Sequence, residues 1–537
     1  MRKVLSILSM CVLVFMMAAC TANESAGKPK DGGKEKKILY LNNGDSPKSF
    51  DPPIGFDSVS WNPLNNLMEG MVRLDKNNEP KPAMAEKWDV SDDGKVYTFH
   101  IRDKAKWSNG DSVTAGDFEY AWKRLLDPKT GSEASFLGNF IKGGEAFNSG
   151  KGKVEDVGVK AVGEKTLEVT LEAPQAYFIN VITNPAFFPI NQKAAEKNPK
   201  WFNSADTFVS NGPFMLSEWK QGTSFNMKRN DQYWDAKNVK LDEVHWAIVS
   251  DPTTEYQMFQ RGELDSSSVP SDLSEKLYKE NKVDVVDQGG TYFYRFNVNK
   301  APFQNVNIRK AFAMAIDQQQ IVDFVTKNKE KPAYGFVSYG LKDDKGNDFR
   351  ETNGDLLKTD VNEAKKLLEK GMKEEGYNKL PEVTLTYSTS PNHQKIAETV
   401  QQMLKQNIGV DVKLANMEWN VFSEKQSNLE FQFSRSSFLP DYADPINFLE
   451  SFQTGHSMNR TGWSNAKYDA LIKSAKAEAD ESKRFADMYE AEKILMEELP
   501  IIPIHFYNQP HIVNEKVTGI VYHPVGYMDL KWADKKE

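Results

Sequence analysis

From Ile38 onward, runs that alternate apolar and polar residues interleave with runs of helical spacing, and no repeat of fixed period appears. In Lys95–Arg102, Tyr97, Phe99 and Ile101 share one face while Thr98, His100 and Arg102 share the other, which predicts a half-buried strand. Asn109-Gly110 predicts a turn, and Thr114-Ala115-Gly116-Asp117 has the spacing of a capping box with Asp in the third-position role. The helix it starts puts Phe118, Trp122 and Leu125 or Leu126 on one face. Leu167, Val169 and Leu171 alternate as another strand after a turn at Gly163-Glu164. Further on, Val383, Leu385 and Tyr387 read as a strand, Ile396, Val400 and Leu404 recur at helical spacing, and Gly409–Leu414 returns to strand. Two short strands joined by one helix predict a parallel βαβ unit. A helix from Val306, with Asn305 as N-cap, turns Ile308, Ala311, Phe312, Ala315 and Ile316 inward. The fold class is mixed α/β with more than one lobe, and no Pro/Gly/Ser-rich linker marks the lobe boundaries.

Length and composition narrow this further. A chain of 537 residues suggests roughly three or four domains, and 11 Trp, 19 Tyr and 31 Phe can fill several cores. With 39% hydrophobic and 27% charged residues, disorder, collagen and a multi-span membrane protein are excluded. The net charge of −8, with basic residues scattered, gives no electrostatic footprint for nucleic acid.

The amino terminus bears on compartment. Arg2 and Lys3 precede an apolar run from Val4 to Met17 and then Ala18-Ala19-Cys20. The run is too short to compete as a spanning helix and reads as a signal peptide over residues 1–19. Small residues before a cysteine resemble the lipobox of bacterial lipoproteins, which makes Cys20 the lipid acceptor; an ordinary secretory signal ending before a cysteine is the alternative. Cys11 lies within the signal, so no disulfide can form in the mature chain. Residues 20–37 are polar and rich in Gly and Lys, which predicts a flexible tether whose lysines can rest on an anionic bilayer.

Catalysis finds little support. None of the seven histidines has the i, i+4 spacing of a helical zinc site, and HExxH, GxSxG, GxGxxG and GxxxxGK are absent. With one mature cysteine, thiolate zinc sites and cysteine nucleophiles are excluded. Acidic pairs such as Asp92-Asp93 and Glu374-Glu375 read as solvated surface. A protein that is not an enzyme, without cofactor or metal, is the expectation.

An ordered set of segments resembles the family 5 extracellular solute-binding proteins, the oligopeptide-binding receptors of ABC importers. These are Ser49-Phe50-Asp51-Pro52, Leu67-Met68-Glu69-Gly70, and the block from Met84-Ala85-Glu86-Lys87-Trp88 through Ser91–Lys95, Tyr97-Thr98-Phe99 and Trp107-Ser108-Asn109-Gly110 to Thr114–Phe118. Arg261-Gly262-Glu263-Leu264-Asp265, Pro302-Phe303 and Ile308–Asp317 follow in the family's order. The resemblance implies a two-lobed periplasmic-binding-protein fold with a hinge and an extra domain in the amino-terminal lobe. Its parts are expected at 38–68, 191–290 and 506–537 for lobe I, 69–190 for the extra domain and 291–505 for lobe II. It further implies a monomeric, lipid-anchored receptor on the extracytoplasmic face of the cell membrane. Oligopeptides, ABC permease and ATPase subunits and the membrane are its expected partners.

Arg435–Pro445 resembles the segment that grips the peptide in these receptors. Asp441 matches the aspartate that pairs with the ligand's ammonium, for which a turn cap is the ordinary alternative. Arg435 matches an arginine that can meet the carboxylate of a short peptide, with a structural ion pair as its alternative. Trp419 and Phe438 match aromatic pocket positions, with ordinary core as the alternative, and His393 matches a pocket histidine, with a cap or surface role as its alternative. Ser437 and Tyr442 complete the expected peptide-binding set, and small residues at Ser436 and Ser437 let main-chain groups reach the ligand. Two departures stand out: Gln426-Ser427 replaces an Arg-His pair of the enterobacterial receptor, and a tyrosine near Ser132-Glu133-Ala134 is missing. A receptor of the same fold for a dipeptide, nickel chelate or oligosaccharide is the nearest alternative function. An exported hydrolase or chaperone stands further off.

Overall fold

Tyr97, Phe99 and Ile101 are buried along the strand Val96–Ile101, as their alternation requires. That strand pairs antiparallel with Ala85–Val90 and Thr166–Thr170, and Val159–Gly163 closes a four-stranded sheet. The helix Ala115–Leu126 packs on it through Phe118, Trp122, Leu125 and Leu126, all fully buried. Large side chains buried this way contribute roughly 1.5–3 kcal/mol each. The Thr114 hydroxyl accepts from the Asp117 N–H at 3.3 Å, and the Asp117 carboxylate accepts from the Thr114 N–H at 2.8 Å. The same carboxylate takes the Trp107 indole N–H at 3.1 Å and the Gln192 N–H at 3.0 Å, so a short Asp here satisfies donors that a longer Glu would overshoot. Thr114→Ala is expected to cost about 1 kcal/mol, read as a lower urea midpoint at unchanged slope.

The computed structural model describes residues 36–270 and 272–536, and the side chains of Trp419 and Asn420 are outside the described residues as well. The signal peptide, Cys20 and tether positions 20–35 therefore lie outside the described residues. The chain divides into Met1–Lys36 and Lys37–Glu537, and everything below concerns the second unit. Lys37, the last residue of the expected tether, is already held: its N–H donates to Asp242 at 2.9 Å and its ammonium meets Asp534 at 2.5 Å. Among the described residues no helix is long and apolar enough to cross a membrane.

Two lobes carry separate sheets. In the first, Ile38–Asn42 pairs parallel with Glu243–Ala247, followed by antiparallel Ser224–Arg229 and Phe214–Lys220. The second lobe holds a seven-stranded sheet. There the predicted βαβ unit forms: Val383–Ser388 and Val412–Met417 run parallel, with Leu385 opposite Leu414, joined by the helix Pro391–Ile408. Gly409 caps that helix at φ 70°, a left-handed turn that costs glycine nothing. Asn305 accepts from the N–H groups of Asn307 and Ile308, and the helix Val306–Met314 follows. Ala315 and Ile316, expected on its inner face, are buried just past its end.

Two thirteen-residue strands, Asp284–Phe296 and Ile501–Val513, pair antiparallel and form the spine of this sheet. Their register breaks between Asp287 and Thr291. Gly289 and Gly290 occupy the break, where a Cβ on Gly290 would lie 2.5 Å from the Leu439 side chain and 3.0 Å from the Phe438 carbonyl. Only glycine admits that approach, and a bulge here bends the spine beside the Arg435–Pro445 segment.

Candidate functional site

The strand Phe433–Phe438 pairs along its whole length with Asp284–Phe296 on one edge. On its other edge it meets Val383–Ser388 only at Phe433 and Ser434. From Arg435 to Phe438 that second edge pairs with no strand among the described residues, the arrangement to which an extended peptide can add itself. The buried Gln426 amide donates to the Arg435 carbonyl at 2.8 Å and to the Ser434 hydroxyl at 3.0 Å. The residue that replaces an Arg-His pair thus braces the start of this free edge.

Beyond Phe438 the chain turns across a cavity of about 730 Å³ lined by Ser437, Phe438, Leu439, Asp441 and Tyr442. Phe56, Phe136, Phe140 and Tyr177 face them from the amino-terminal part of the chain. The turn is capped by other side chains than Asp441: Asp444 accepts from the Ile446 N–H at 2.9 Å, and the Asn447 amide oxygen accepts from the Asp441 N–H at 2.8 Å. Asp444 is paired with buried Arg484 at 2.6 Å, and Glu450 is held by Lys476 at 2.7 Å and by the Tyr442 hydroxyl at 2.7 Å. The Asp441 carboxylate forms no ion pair among the described residues. Burial pushes it up to about 7, helped by the nearby Glu450 charge and opposed by a hydrogen bond from Asn447. An acid held this way wants a cation.

The cavity also has a tie across it. The Asn184 amide donates to the Asp441 carbonyl at 2.9 Å, the Asn180 amide donates to Asp444 at 3.0 Å, and the Tyr177 ring stacks on Tyr442 at 5.5 Å. Phe438 serves core and cavity together, packing on Phe448 at 4.8 Å while lining the wall.

A smaller cavity of about 240 Å³ adjoins the first, since Tyr292 on its wall is the register partner of Ser437. Arg435 stands beside it, donating to the Tyr507 hydroxyl at 3.1 Å with its guanidinium 4.9 Å from the centre of the Tyr292 ring. Arg435 is buried and meets no carboxylate among the described residues. His393, near the start of the helix Pro391–Ile408, lies 3.4 Å from the Tyr292 hydroxyl. Burial, then the neighbouring Arg435 charge, pushes His393 down to about 4, and burial does the same to His505, which stacks on Tyr292 at 5.0 Å. Near neutral pH both imidazoles are uncharged, and the guanidinium is the cation of this group.

The structure therefore brings Asp441, Tyr442, Phe438 and Ser437 to one cavity wall and His393 to the adjoining one, with Arg435 behind the lining residues Tyr292 and Tyr507. Trp419 begins the helix Trp419–Ser427, but its side chain lies outside the described residues. Sequence reasoning missed Tyr292, His505, Tyr507, Asn184 and Asn447. The signal for the first three was present: polar-tipped rings alternate at Tyr292 and Tyr294 and at His505 and Tyr507 inside otherwise apolar strands. Among the described residues no group of three or more His, Cys, Asp or Glu could hold a metal ion.

Two lobes enclosing a cleft, with an unpaired acid in its wall and an unpaired guanidinium behind it, define a ligand-capturing protein of the periplasmic-binding type. The chain belongs to the bacterial extracellular solute-binding proteins, family 5, whose middle-region model matches residues 79–460. It is 65% identical over 527 residues to the dipeptide-binding protein DppE of Bacillus subtilis, covering 97% of each chain. Peptide-bound OppA of Listeria monocytogenes superposes with a TM-score of 0.74 at 35% identity, covering 94% of this chain and 100% of that one. The unliganded open form of MppA, the Escherichia coli murein tripeptide-binding protein, superposes at 0.80 and 32% identity over 94% and 98%.

Proposed function

We propose that this chain is a lipid-anchored receptor that captures short peptides between its lobes and delivers them to an ABC importer. The observation that carries the reading is a pair of opposite charges without ionic partners among the described residues, Arg435 on the strand Phe433–Phe438 and Asp441 in the turn that follows it. Asp441 supplies the anion for the peptide's ammonium and Arg435 the planar, two-pronged donor for its carboxylate. The free edge from Arg435 to Phe438 spans about 10 Å at roughly 3.3 Å per residue, the reach of a peptide of a few residues. Main-chain pairing along it reads no side chain, so Phe438, Tyr442 and the apolar residues opposite accept many. Relatives named for binding dipeptides, oligopeptides and murein peptides support the cargo class. Closure about the bulge at Gly289-Gly290 would bury the ligand and form the surface that the permease reads. Such a receptor returns its ligand unchanged.

Native mass spectrometry of the full chain extracted from membranes tests the reading. The expected result is a polypeptide beginning at a lipid-modified Cys20 that carries intact short peptides, released on gentle denaturation. A chain that is empty and shows no thermal shift with a mixed peptide library would overturn the peptide assignment, and an unmodified Cys20 would overturn the anchor.

A further inference from the structure

Two arginines behind the larger cavity have no acidic partner among the described residues. Arg295 is only 3% exposed, yet its Nε donates to the Ser436 hydroxyl at 2.8 Å and its Nη1 to the Met458 carbonyl at 2.6 Å, both neutral acceptors. Its guanidinium lies 5.1 Å from the Phe293 ring centre and 5.8 Å from that of Phe452. Arg460 is half-buried, leaves its Nε without a hydrogen bond, and reaches only the Met458 sulfur at 3.9 Å. Three other buried guanidiniums are matched by acids, Arg73 by Glu69, Arg350 by Glu492 and Arg484 by Asp444, and the unpaired Arg435 is the one already assigned to a ligand carboxylate. Arg309, which lacks a carboxylate, makes five hydrogen bonds to main-chain carbonyls instead. Arg295 and Arg460 have neither solution.

Their location gives the imbalance a meaning. Met458, which both arginines touch, lines the cavity together with Ser437, the neighbour of Ser436. Of the charges on that wall, Glu450 and Lys476 offset one another, and Asp441 is committed to an ammonium in the reading above. The two guanidiniums are therefore surplus positive charge directly behind Met458, one residue removed from a wall that would lose water on closure. Burial and the Arg460 charge already hold Arg295 down to about 9, a sign that the pair repels in the absence of an anion.

We infer that Arg295 and Arg460 form an acid-selecting subsite, which favours peptides carrying a carboxylate side chain at a residue after the first. The inference rests on the peptide-receptor reading and refines it from any short peptide to acidic ones. An incoming carboxylate at Met458 would accept from guanidinium donors that now have poor partners or none, and its charge would relieve the repulsion between them.

Isothermal titration of the full-length protein with matched tripeptides tests this: Ala-Glu-Ala against Ala-Gln-Ala, and Ala-Ala-Glu against Ala-Ala-Gln. In at least one pair the Glu peptide should bind about tenfold more tightly, with the ratio shrinking at high salt. In Arg460→Gln that ratio should fall below about two, and in Arg460→Lys it should persist. Equal affinities within both pairs in the unmodified protein overturn the inference without any variant, and so does a ratio that survives Arg460→Gln. Binding of the Gln peptides in those cases leaves the peptide-receptor reading standing, whereas a protein that binds none of the four loses both.

Discussion

Asp441→Asn is expected to weaken binding of a short peptide with a free amino terminus by about 2 kcal/mol or more, near thirtyfold, because a desolvated ammonium would lose its only counter-charge. An N-acetylated peptide should bind the unmodified protein as weakly as the free peptide binds the variant. The pH dependence distinguishes this from a structural loss. In the ligand-free protein Asp441 titrates near 7, whereas an ammonium beside it favours the ionised form. Below about pH 7 a proton must leave before the peptide binds, so affinity should fall by up to about tenfold per pH unit toward pH 5. His393 and His505, both down to about 4, stay neutral over that range. Asp441→Asn should show a flat profile. Stability moves the other way: a carboxyl raised in the folded state binds more protons than it does unfolded. Its contribution therefore declines as pH rises from about 4 through 7, and Asp441→Asn should melt at a higher temperature than the unmodified protein at pH 8. Unchanged affinity, or a variant that retains the pH slope, would sink the assignment.

The second large effect is expected at Arg435. The unmodified protein should bind a tripeptide with a free carboxyl terminus at least about 2 kcal/mol more tightly than its amide, and Arg435→Gln should bind both alike. Because Arg435 has no carboxylate to abandon, the substitution should leave the melting temperature of the empty protein unchanged or raised. Removing Arg484 or Arg350, each paired with a buried acid, should instead destabilise it. A calorimetric comparison of acid and amide peptides reads the first effect, and scanning calorimetry of the empty proteins reads the second. An Arg435→Gln protein that melts lower while keeping its preference for the free acid would make Arg435 structural.

Periodicity and local chemistry along the chain determined much of this molecule. Alternation at Tyr97, Phe99 and Ile101, the box at Thr114 and Asp117, the cap at Asn305 and the βαβ pattern from Val383 to Leu414 each depend on residues a few positions apart, and each formed where it was read. The ordered motifs identified the family, and through it Asp441, Arg435 and His393 as site candidates. Only the tertiary structure decided which charges are satisfied. Asp441, Asp444 and Glu450 stand within ten residues of one another and look alike in sequence, yet Asp444 finds Arg484 forty residues on and Glu450 finds Lys476 twenty-six residues on, while Asp441 finds no cation. Gln426 and the surplus pair Arg295 and Arg460 emerged in the same way. Apolar spacing fixes which face of an element is buried, but the free energy of a buried charge depends on what lies within a few ångströms across the fold. Those neighbours come from distant parts of the chain, and no local pattern encodes them.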